Sequence, residues 1–211
     1  MAGKVFVSVT VTVDGFIAPE TRADDPTFER WMAQWSQLQQ WVFPQRFFRE
    51  NLELGEGGEE GVDNDIARET YERTGASIMG KRMFDGGEHR WPEEAPFHTA
   101  VFVVTHQLRE PWERPGGTTF YFVNDGIERA LEQAREAAGD RDVRIAGGAE
   151  TIVQYLNAGL VDELTLSVSP VVFGTGVPLF DGIDANRLAL EPIRSVPSPR
   201  VTHLTYAVRP R

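Results

Sequence analysis

The chain has 211 residues, enough for one large domain or two small ones, and its hydrophobic (41%) and charged (25%) fractions are those of a globular protein. It contains no cysteine, which excludes disulfides, thiolate metal sites and cysteine nucleophiles, and no apolar run approaches the about 20 residues that span a bilayer. The formal net charge of −11 argues against nucleic acid as a partner, because such binding depends on Lys and Arg contacts to phosphate. We therefore expect a cytoplasmic protein without nucleic-acid or membrane partners, in which a local basic cluster holds any anionic ligand.

The N-terminal part predicts one strand followed by an aromatic helical segment. Residues 4–13 carry valine at alternate positions, which indicates a half-buried strand ending at the Asp14-Gly15 turn. Residues 27–54 carry aromatic side chains at three- and four-residue steps, which predicts a helix that Pro44 breaks before a second helix begins. This aromatic insertion, at about 20–62, is expected to line a substrate pocket, to cover a dimer interface or to pack as core.

An acidic loop at 55–61 and a predicted helix at 65–74, stopped by Gly75, lead into a regular alternation of strands and helices. This alternation predicts a single α/β domain over residues 1–211, with a mostly parallel central sheet, an antiparallel C-terminal edge and helices on both faces. The predicted strands are 76–79, 100–104, 119–123, 143–146, 163–168 and 200–208, and the predicted helices between them are 127–138 and 150–158.

The junction after the strand at 143–146 is the most informative local feature. Gly147 and Gly148 connect this strand directly to a helix. Two glycines there allow backbone N–H groups to approach a ligand, and the free N–H groups of the helix start suit a phosphate. The alternative is a tight turn that binds nothing.

Two other strand ends carry related chemistry. Gly80, Lys81 and Arg82 follow the strand at 76–79, and Thr105 and His106 follow the strand at 100–104. Strand carboxyl ends gather on one edge of an open α/β sheet, where ligands bind. Two adjacent cations at a helix start are unfavourable unless an anion lies there, so the three junctions together predict a dinucleotide site.

The ordered motifs resemble a known family. MGKRMF (79–84), VVTH (103–106), IAGGAETIVQYL (145–156) and VDELTLSVSPVVFGTGVPLF (161–180) are similar to those of the dihydrofolate reductase-like fold, as is the opening VFVSVTVTVDGFIA (5–18). The closer match is the branch related to the C-terminal reductase domain of the bifunctional riboflavin-biosynthesis deaminase-reductase. The resemblance covers about residues 4–18 and 76–208, and implies a homodimeric, NADPH-dependent reductase similar to 5-amino-6-(5-phosphoribosylamino)uracil reductase, which acts on a small planar heterocycle.

The resemblance also implies where NADPH contacts the chain. Gly80, Lys81 and Arg82 would approach the adenosine phosphates and the pyrophosphate, and Thr105 and His106 would lie by the 2′-phosphate. The remaining residues assigned to the cofactor, around its pyrophosphate, are Gly147, Gly148, Ala149, Thr151 and Ile152. The chain departs from the family at Met83, where a phosphate-contacting threonine is usual, and at Ala149, where a third glycine is usual.

The catalytic acid is the least specified part of the site. In dihydrofolate reductases an acidic residue on the helix before this motif polarises the pterin, and here the nearest candidate is Asp65, with Asp63 and Glu69 behind it. The alternative for Asp65 is an acid that complements the helix dipole. No histidine pair has metal-ligand spacing, so no metal is expected. A dihydrofolate reductase-type enzyme, a flavin-linked reductase and a non-catalytic nucleotide-binding or interaction protein with the same fold stay as alternative functions.

Overall fold

The computed structural model describes residues 3–20 and 28–211. A nine-stranded sheet runs through the molecule in the order β10-β11-β8-β1-β7-β3-β4-β6-β5, and β2 and β9 form a separate small antiparallel pair. The strands are β1 Val5–Thr12, β2 Phe16–Ala18, β3 Thr74–Gly80, β4 Ala100–Val104, β5 Trp112–Glu113, β6 Thr119–Val123, β7 Asp142–Gly147, β8 Glu163–Ser169, β9 Val177–Pro178, β10 Leu188–Pro197 and β11 Thr202–Pro210. The helices are α1 Phe28–Leu38, α2 Arg46–Asn51, α3 Val62–Arg73, α4 Lys81–Gly87, α5 Ile127–Ala138 and α6 Ala149–Asn157.

The valine alternation in β1 separates the two faces of the sheet. Val5, Val7 and Val11 are buried in the main core, which also receives the apolar sides of α5 and α6. The intervening Ser8 and Thr10 lie on the opposite face, since successive side chains of a strand alternate. One face of the central sheet is therefore apolar and the other carries polar side chains.

The predicted mixed architecture is confirmed. The central strands β8, β1, β7, β3, β4 and β6 pair in parallel, and β11 pairs antiparallel with β8. On the second face, Phe84 of α4 packs with Met79, Val101 and Phe120 in a separate cluster. Helices thus cover both faces of the sheet, as the βα alternation predicts.

The boundary between α3 and β3 differs from its prediction. The helix begins at Val62, and Gly75, predicted to stop it, is the second residue of β3. A Cβ atom on Gly75 would lie 2.8 Å from the Cα of Ala138. Glycine at this position permits close approach of β3 to α5 instead of ending a helix.

The C-terminal edge is wider than the sequence predicts. The unpredicted strand β10 pairs antiparallel with β11 over its length, with an irregularity between Pro192 and Arg194. The two prolines of β10, Pro192 and Pro197, hide the strand pattern, because proline is confined to edge strands and bulges.

Within residues 3–20 and 28–211, no helix combines the length and apolar character that crossing a membrane requires.

Candidate functional site

A large cleft lies across the carboxyl ends of the central parallel strands. Its volume is about 1990 Å³, and Gly80, Thr105 and Gly147 all line it. The pairing of Gly80 with Val104 and of Met79 with Gly147 sets the ends of β3, β4 and β7 side by side. The structure therefore brings the three predicted strand junctions together at one cleft.

Each glycine of these junctions meets a different steric requirement. A Cβ on Gly80 would lie 2.3 Å from the hydroxyl oxygen of Thr151, so this position has no room for a side chain. Gly147 has a backbone φ of +130°, which L-residues rarely adopt. A Cβ on Gly148 would meet no atom within 4 Å, so the space above this peptide is open to the cleft.

The start of α6 completes this part of the cleft. Gly148 is its N-cap and offers no side chain to the free N–H groups of the first turn. Ala149, Glu150 and Thr151 line the cleft. Ile152, assigned to the cofactor from the resemblance, is fully buried in the main core, and its N–H donates to the Gly148 carbonyl at 3.1 Å. The first turn of α6 thus begins at the cleft without a side-chain cap.

The predicted basic cluster lies at the cleft with its charges already paired. Lys81 forms an ion pair with Asp85 one turn along α4, and Arg82 pairs with Glu150 at the start of α6. Lys81 and Arg82 both line the cleft, as does the exposed His106. Surface ion pairs of this kind individually stabilise a protein little. Lys81 and Arg82 could therefore leave their carboxylate partners and contact a bound phosphate.

Thr105 and Met83 occupy the remaining predicted positions. Thr105 is buried, and its hydroxyl oxygen accepts the N–H of Gln107 at 3.0 Å. Met83 lines the cleft beside the glycine turn, with its sulfur 3.2 Å from where a Cβ of Gly147 would lie. The residue that departs from the family pattern thus contributes an apolar contact at the glycine turn.

The structure separates the acidic candidates from the cleft. Asp65 is exposed and is not among the residues that line it. Asp63 is buried and accepts hydrogen bonds from His203 and Ser198, at 3.0 Å each, while Glu69 pairs with Arg194. The residues that α3 presents to the cleft are Ala67, Thr70 and Tyr71. This helix thus supplies a hydroxyl and a phenol where a carboxylate is expected.

The aromatic insertion forms a wall of the cleft. Trp31 and Trp35 stack with ring centroids 5.9 Å apart, and Trp35 contacts Phe43 at 5.5 Å. All three rings line the cleft, together with Phe48. The structure places these side chains along the cleft, and Trp41 of the same insertion packs in a small core cluster with Ala67 and Val201. The role in a dimer interface stays a prediction.

Sequence reasoning missed the polar floor opposite that wall. Ser8 of β1, Arg144 of β7 and Ser167 of β8 lie on the polar face of the sheet, and all line the cleft. The Arg144 guanidinium donates to the Ser8 carbonyl at 3.2 Å, and burial lowers the pKa of Arg144 below its ordinary value. The sequence does contain a signal for this floor. Arg144 stands between the apolar Val143 and Ile145, and alternation assigns it to the face opposite the core.

A family model described as the RibD C-terminal domain matches residues 3–204. The chain belongs to this family. Two Bacillus subtilis (strain 168) relatives, the uncharacterized proteins YyaP and YwjB, are 44% and 36% identical to it over 59 residues. Each alignment spans 28% of this chain and about a third (31% and 33%) of the relative.

Solved structures support the same fold. A Shewanella sp. PV-4 protein named for riboflavin biosynthesis is 21% identical with a TM-score of 0.65, over 98% of this chain and 99% of that one. Enterococcus faecalis dihydrofolate reductase, complexed with NADP(H) and RAB-propyl, is 15% identical with a TM-score of 0.57, covering 99% and 98% of the two chains. The Thermotoga maritima deaminase/5-amino-6-(5-phosphoribosylamino)uracil reductase is 14% identical with a TM-score of 0.57, and this chain spans 57% of its length. The dihydrofolate reductase-like fold predicted from the motifs is confirmed.

A buried series of hydrogen bonds connects the cleft of this RibD C-terminal domain to α3. Ser167 and Nδ1 of His203 lie 2.9 Å apart, and Nε2 of His203 lies 3.0 Å from Asp63. Burial lowers the pKa of His203, against the opposing effect of Asp63. The neutral imidazole therefore donates from Nε2 to the carboxylate and accepts the Ser167 hydroxyl at Nδ1. This arrangement ties α3, β8 and β11 together below the cleft.

Within the described part of the chain, no group of three or more His, Cys, Asp or Glu residues is placed to hold a metal ion.

Proposed function

We propose that this RibD C-terminal domain is an NADPH-dependent reductase that transfers hydride to a small planar heterocycle or a related acceptor, similar to 5-amino-6-(5-phosphoribosylamino)uracil reductase. The observation that carries the proposal is the convergence of the Gly80, Thr105 and Gly147 junctions at one cleft. At about 1990 Å³, that cleft exceeds the roughly 300–1,000 Å³ of a typical small-molecule site, so it has room for a dinucleotide and an acceptor together.

The chain's own residues bind and orient the cofactor and the acceptor and exclude water, while NADPH supplies the hydride when it is bound. The open space above Gly148 and the free N–H groups of the first turn of α6 suit the pyrophosphate. Lys81, Arg82 and His106 line the same cleft and would supply cations for the additional phosphate of NADPH. The aromatic wall and the polar floor then hold a flat, polar acceptor beside the nicotinamide.

A pyrimidine-type acceptor fits the cleft better than a pterin. The acidic residue that dihydrofolate reductases use has no counterpart among the residues that α3 presents to the cleft, which are Ala67, Thr70 and Tyr71. Burial raises the pKa of the Tyr71 phenol, which keeps it protonated at neutral pH. Tyr71 is therefore a hydrogen-bond donor to the acceptor, and the assignment of Asp65 as the acid stays an untested prediction.

Tryptophan fluorescence provides a direct test of cofactor binding, because Trp31, Trp35 and Trp41 line the cleft. We expect NADPH to quench this fluorescence with at least about tenfold higher affinity than NADH, since a charge-assisted contact to the extra phosphate contributes about 1.5–3 kcal/mol. The double variant Lys81→Glu/Arg82→Glu should lose this preference. Arg135→Glu, an exposed substitution on α5 with the same type of charge reversal, is the matched control and should retain it.

NADPH oxidation with pyrimidine and pterin acceptors then tests the reaction itself. Saturable NADPH binding with turnover of a pyrimidine acceptor supports the proposal. Failure to bind either nicotinamide nucleotide contradicts it and favours the interaction protein, whereas saturation by FMN alone favours the flavin-linked reductase. The cytoplasmic location and the homodimer belong to the same proposal.

A further inference from the structure

Arg144 lies in the interior of the cleft and forms no ion pair with any residue that the structure describes. It occupies the middle of β7, three positions before Gly147, which at about 3.3 Å per residue places it roughly 10 Å from the glycine turn. It is partly buried and lines the same cleft as the cofactor residues. A group bound at Arg144 would thus lie away from the turn proposed for the pyrophosphate, on the polar floor proposed for the acceptor.

The hydrogen-bonding capacity of Arg144 is mostly unused. One terminal nitrogen donates to the Ser8 carbonyl at 3.2 Å, and Nε is buried without a partner. Among residues 3–20 and 28–211, the carboxylates that line the cleft are Glu20, Glu150 and Asp181, and none of them pairs with Arg144. A guanidinium carries five N–H donors, and a shielded cation without a counter-ion is energetically costly.

At the end of α3, another shielded arginine is paired with two carboxylates. Arg73 makes contacts of 2.6 Å to both Asp142 and Glu163. It also lies over the Phe6 ring at 4.2 Å. This chain thus neutralises the shielded guanidinium of Arg73 with its own carboxylates, whereas no described carboxylate does so for Arg144, and an anionic ligand would supply the missing charge.

Tyr71 supplies a second donor beside Arg144. The guanidinium carbon lies 6.0 Å from the centre of the Tyr71 ring, and no described residue hydrogen-bonds the phenol. The positive charge of Arg144 acts electrostatically on the phenol. Both side chains line the cleft next to Ser8 and Thr70, so a donor pair faces the acceptor's space.

We propose that Arg144 and Tyr71 bind an anionic oxygen carried by the acceptor, so that the substrate is a planar ring with an acidic substituent. The identification of this ligand as the hydride acceptor rests on the proposed reductase function. Binding of the anion at Arg144 and Tyr71 does not itself require NADPH. The aromatic wall of Trp31, Trp35 and Phe43 packs against the ring. The two donors then fix its orientation relative to the glycine turn.

Matched pairs of small molecules test the charge. Orotate and uracil differ by one ring carboxylate, and uridine 5′-monophosphate and uridine differ by one phosphate. We expect the wild-type protein to bind the anion of at least one pair about tenfold more tightly than its neutral partner, the ratio expected of a charge-assisted hydrogen bond. The pair that shows the preference identifies whether a carboxylate or a phosphate is recognised.

Arg144→Gln should abolish that preference, and Tyr71→Phe should reduce it with a minimal change of shape. Arg90→Gln is the matched control, because Arg90 also lines the cleft but its guanidinium lies over the Phe28 ring at 4.0 Å. Calorimetric titration, with thermal unfolding to verify that each variant is folded, measures both effects. The absence of any anion preference in the wild type, or its persistence in both Arg144→Gln and Tyr71→Phe, overturns the proposal.

NADPH titration of the same proteins separates this proposal from the reductase function. We expect Arg144→Gln to bind NADPH like the wild type, because Arg144 lies away from the nucleotide junctions. If the anion preference depends on Arg144 while NADPH does not bind, the anion site stands and the reductase proposal fails. If NADPH binds but no anion preference exists, the reverse holds.

Discussion

At the scale of single residues, the contact between Gly80 and Thr151 sets the geometry of the nucleotide side of the cleft. A Cβ on Gly80 would lie 2.3 Å from the Thr151 hydroxyl oxygen. We expect Gly80→Ala to destabilise the protein by about 1–3 kcal/mol, the usual effect of overpacking, and to weaken NADPH binding. Urea unfolding measures the loss of stability. The double variant Gly80→Ala/Thr151→Ala should recover most of it, because the side chain in conflict has been shortened.

Gly86 provides the control for this prediction. It lies in α4, the helix that Gly80 precedes, and a Cβ there would meet no atom within 4 Å. Gly86→Ala should therefore be neutral or stabilising by up to about 1 kcal/mol, as expected for alanine in a helix. Equal destabilisation by the two substitutions would show that the Thr151 contact does not account for the effect of Gly80→Ala.

Sequence motifs located some residues of the cleft and missed others for a physical reason. Gly80 and Gly147 were found because a glycine at a strand end is a local signal. Arg144 was missed because, within its own strand, it has the pattern of a residue on a solvated face. Its shielding arises from helices far away in the chain, and Tyr71, which the sequence does not single out, belongs to one of them. The alternation within a strand predicts on which face of the sheet a side chain lies. It does not predict which other elements cover that face.

At the scale of elements, the His203–Asp63 contact fixes α3 to the sheet and makes the attachment sensitive to pH. Burial lowers the pKa of folded His203 below its ordinary value of about 6.5. Between the folded and the unfolded pKa, the unfolded chain therefore binds more protons than the folded one. The neutral imidazole contributes its full stabilisation above about pH 6.5, and this stabilisation is lost as the pH falls through the folded pKa. We expect the free energy of unfolding to decrease below about pH 6.5, by at most about 1.4 kcal/mol per pH unit from this one group.

Urea unfolding of His203→Gln between pH 5 and 8 tests this dependence. The variant should be less stable than the wild type at pH 7, because it loses a buried contact, and its stability should fall less steeply on acidification. His89→Gln removes an exposed histidine and should retain the wild-type profile. An unchanged acid slope in His203→Gln would assign the pH dependence to carboxylates instead.

Elements with a regular period were predictable, whereas those that depend on distant packing were not. The alternation of β1 and the aromatic spacing of α1 are visible in the sequence, although the helix ends at Leu38 and turns follow before Pro44. The strand β10 was missed because prolines and an irregularity interrupt its alternation. The hydrogen bonds that form it come from β11, which no pattern within residues 188–197 reveals.

At the scale of the whole molecule, the two edges of the sheet differ. The edge strand β5 has only 2 residues, whereas β10 at the opposite edge has 10. Leu190 and Ile193 of β10 are 37% and 57% exposed. Long edge strands with apolar side chains favour pairing with another chain, so β10 is the surface on which we expect the proposed homodimer to form.

Sedimentation velocity tests this expectation. The wild-type chain should sediment as a dimer, and Ile193→Lys should shift the population to the monomer, because a charge at the centre of a two-fold interface faces its own copy. Val172→Lys is the control, since Val172 is 69% exposed but lies outside β10, and it should remain dimeric. A dimer that tolerates Ile193→Lys would place the interface elsewhere. Because β10 lies at the far end of the sheet from β4, the monomeric variant should still bind NADPH with the affinity of the dimer.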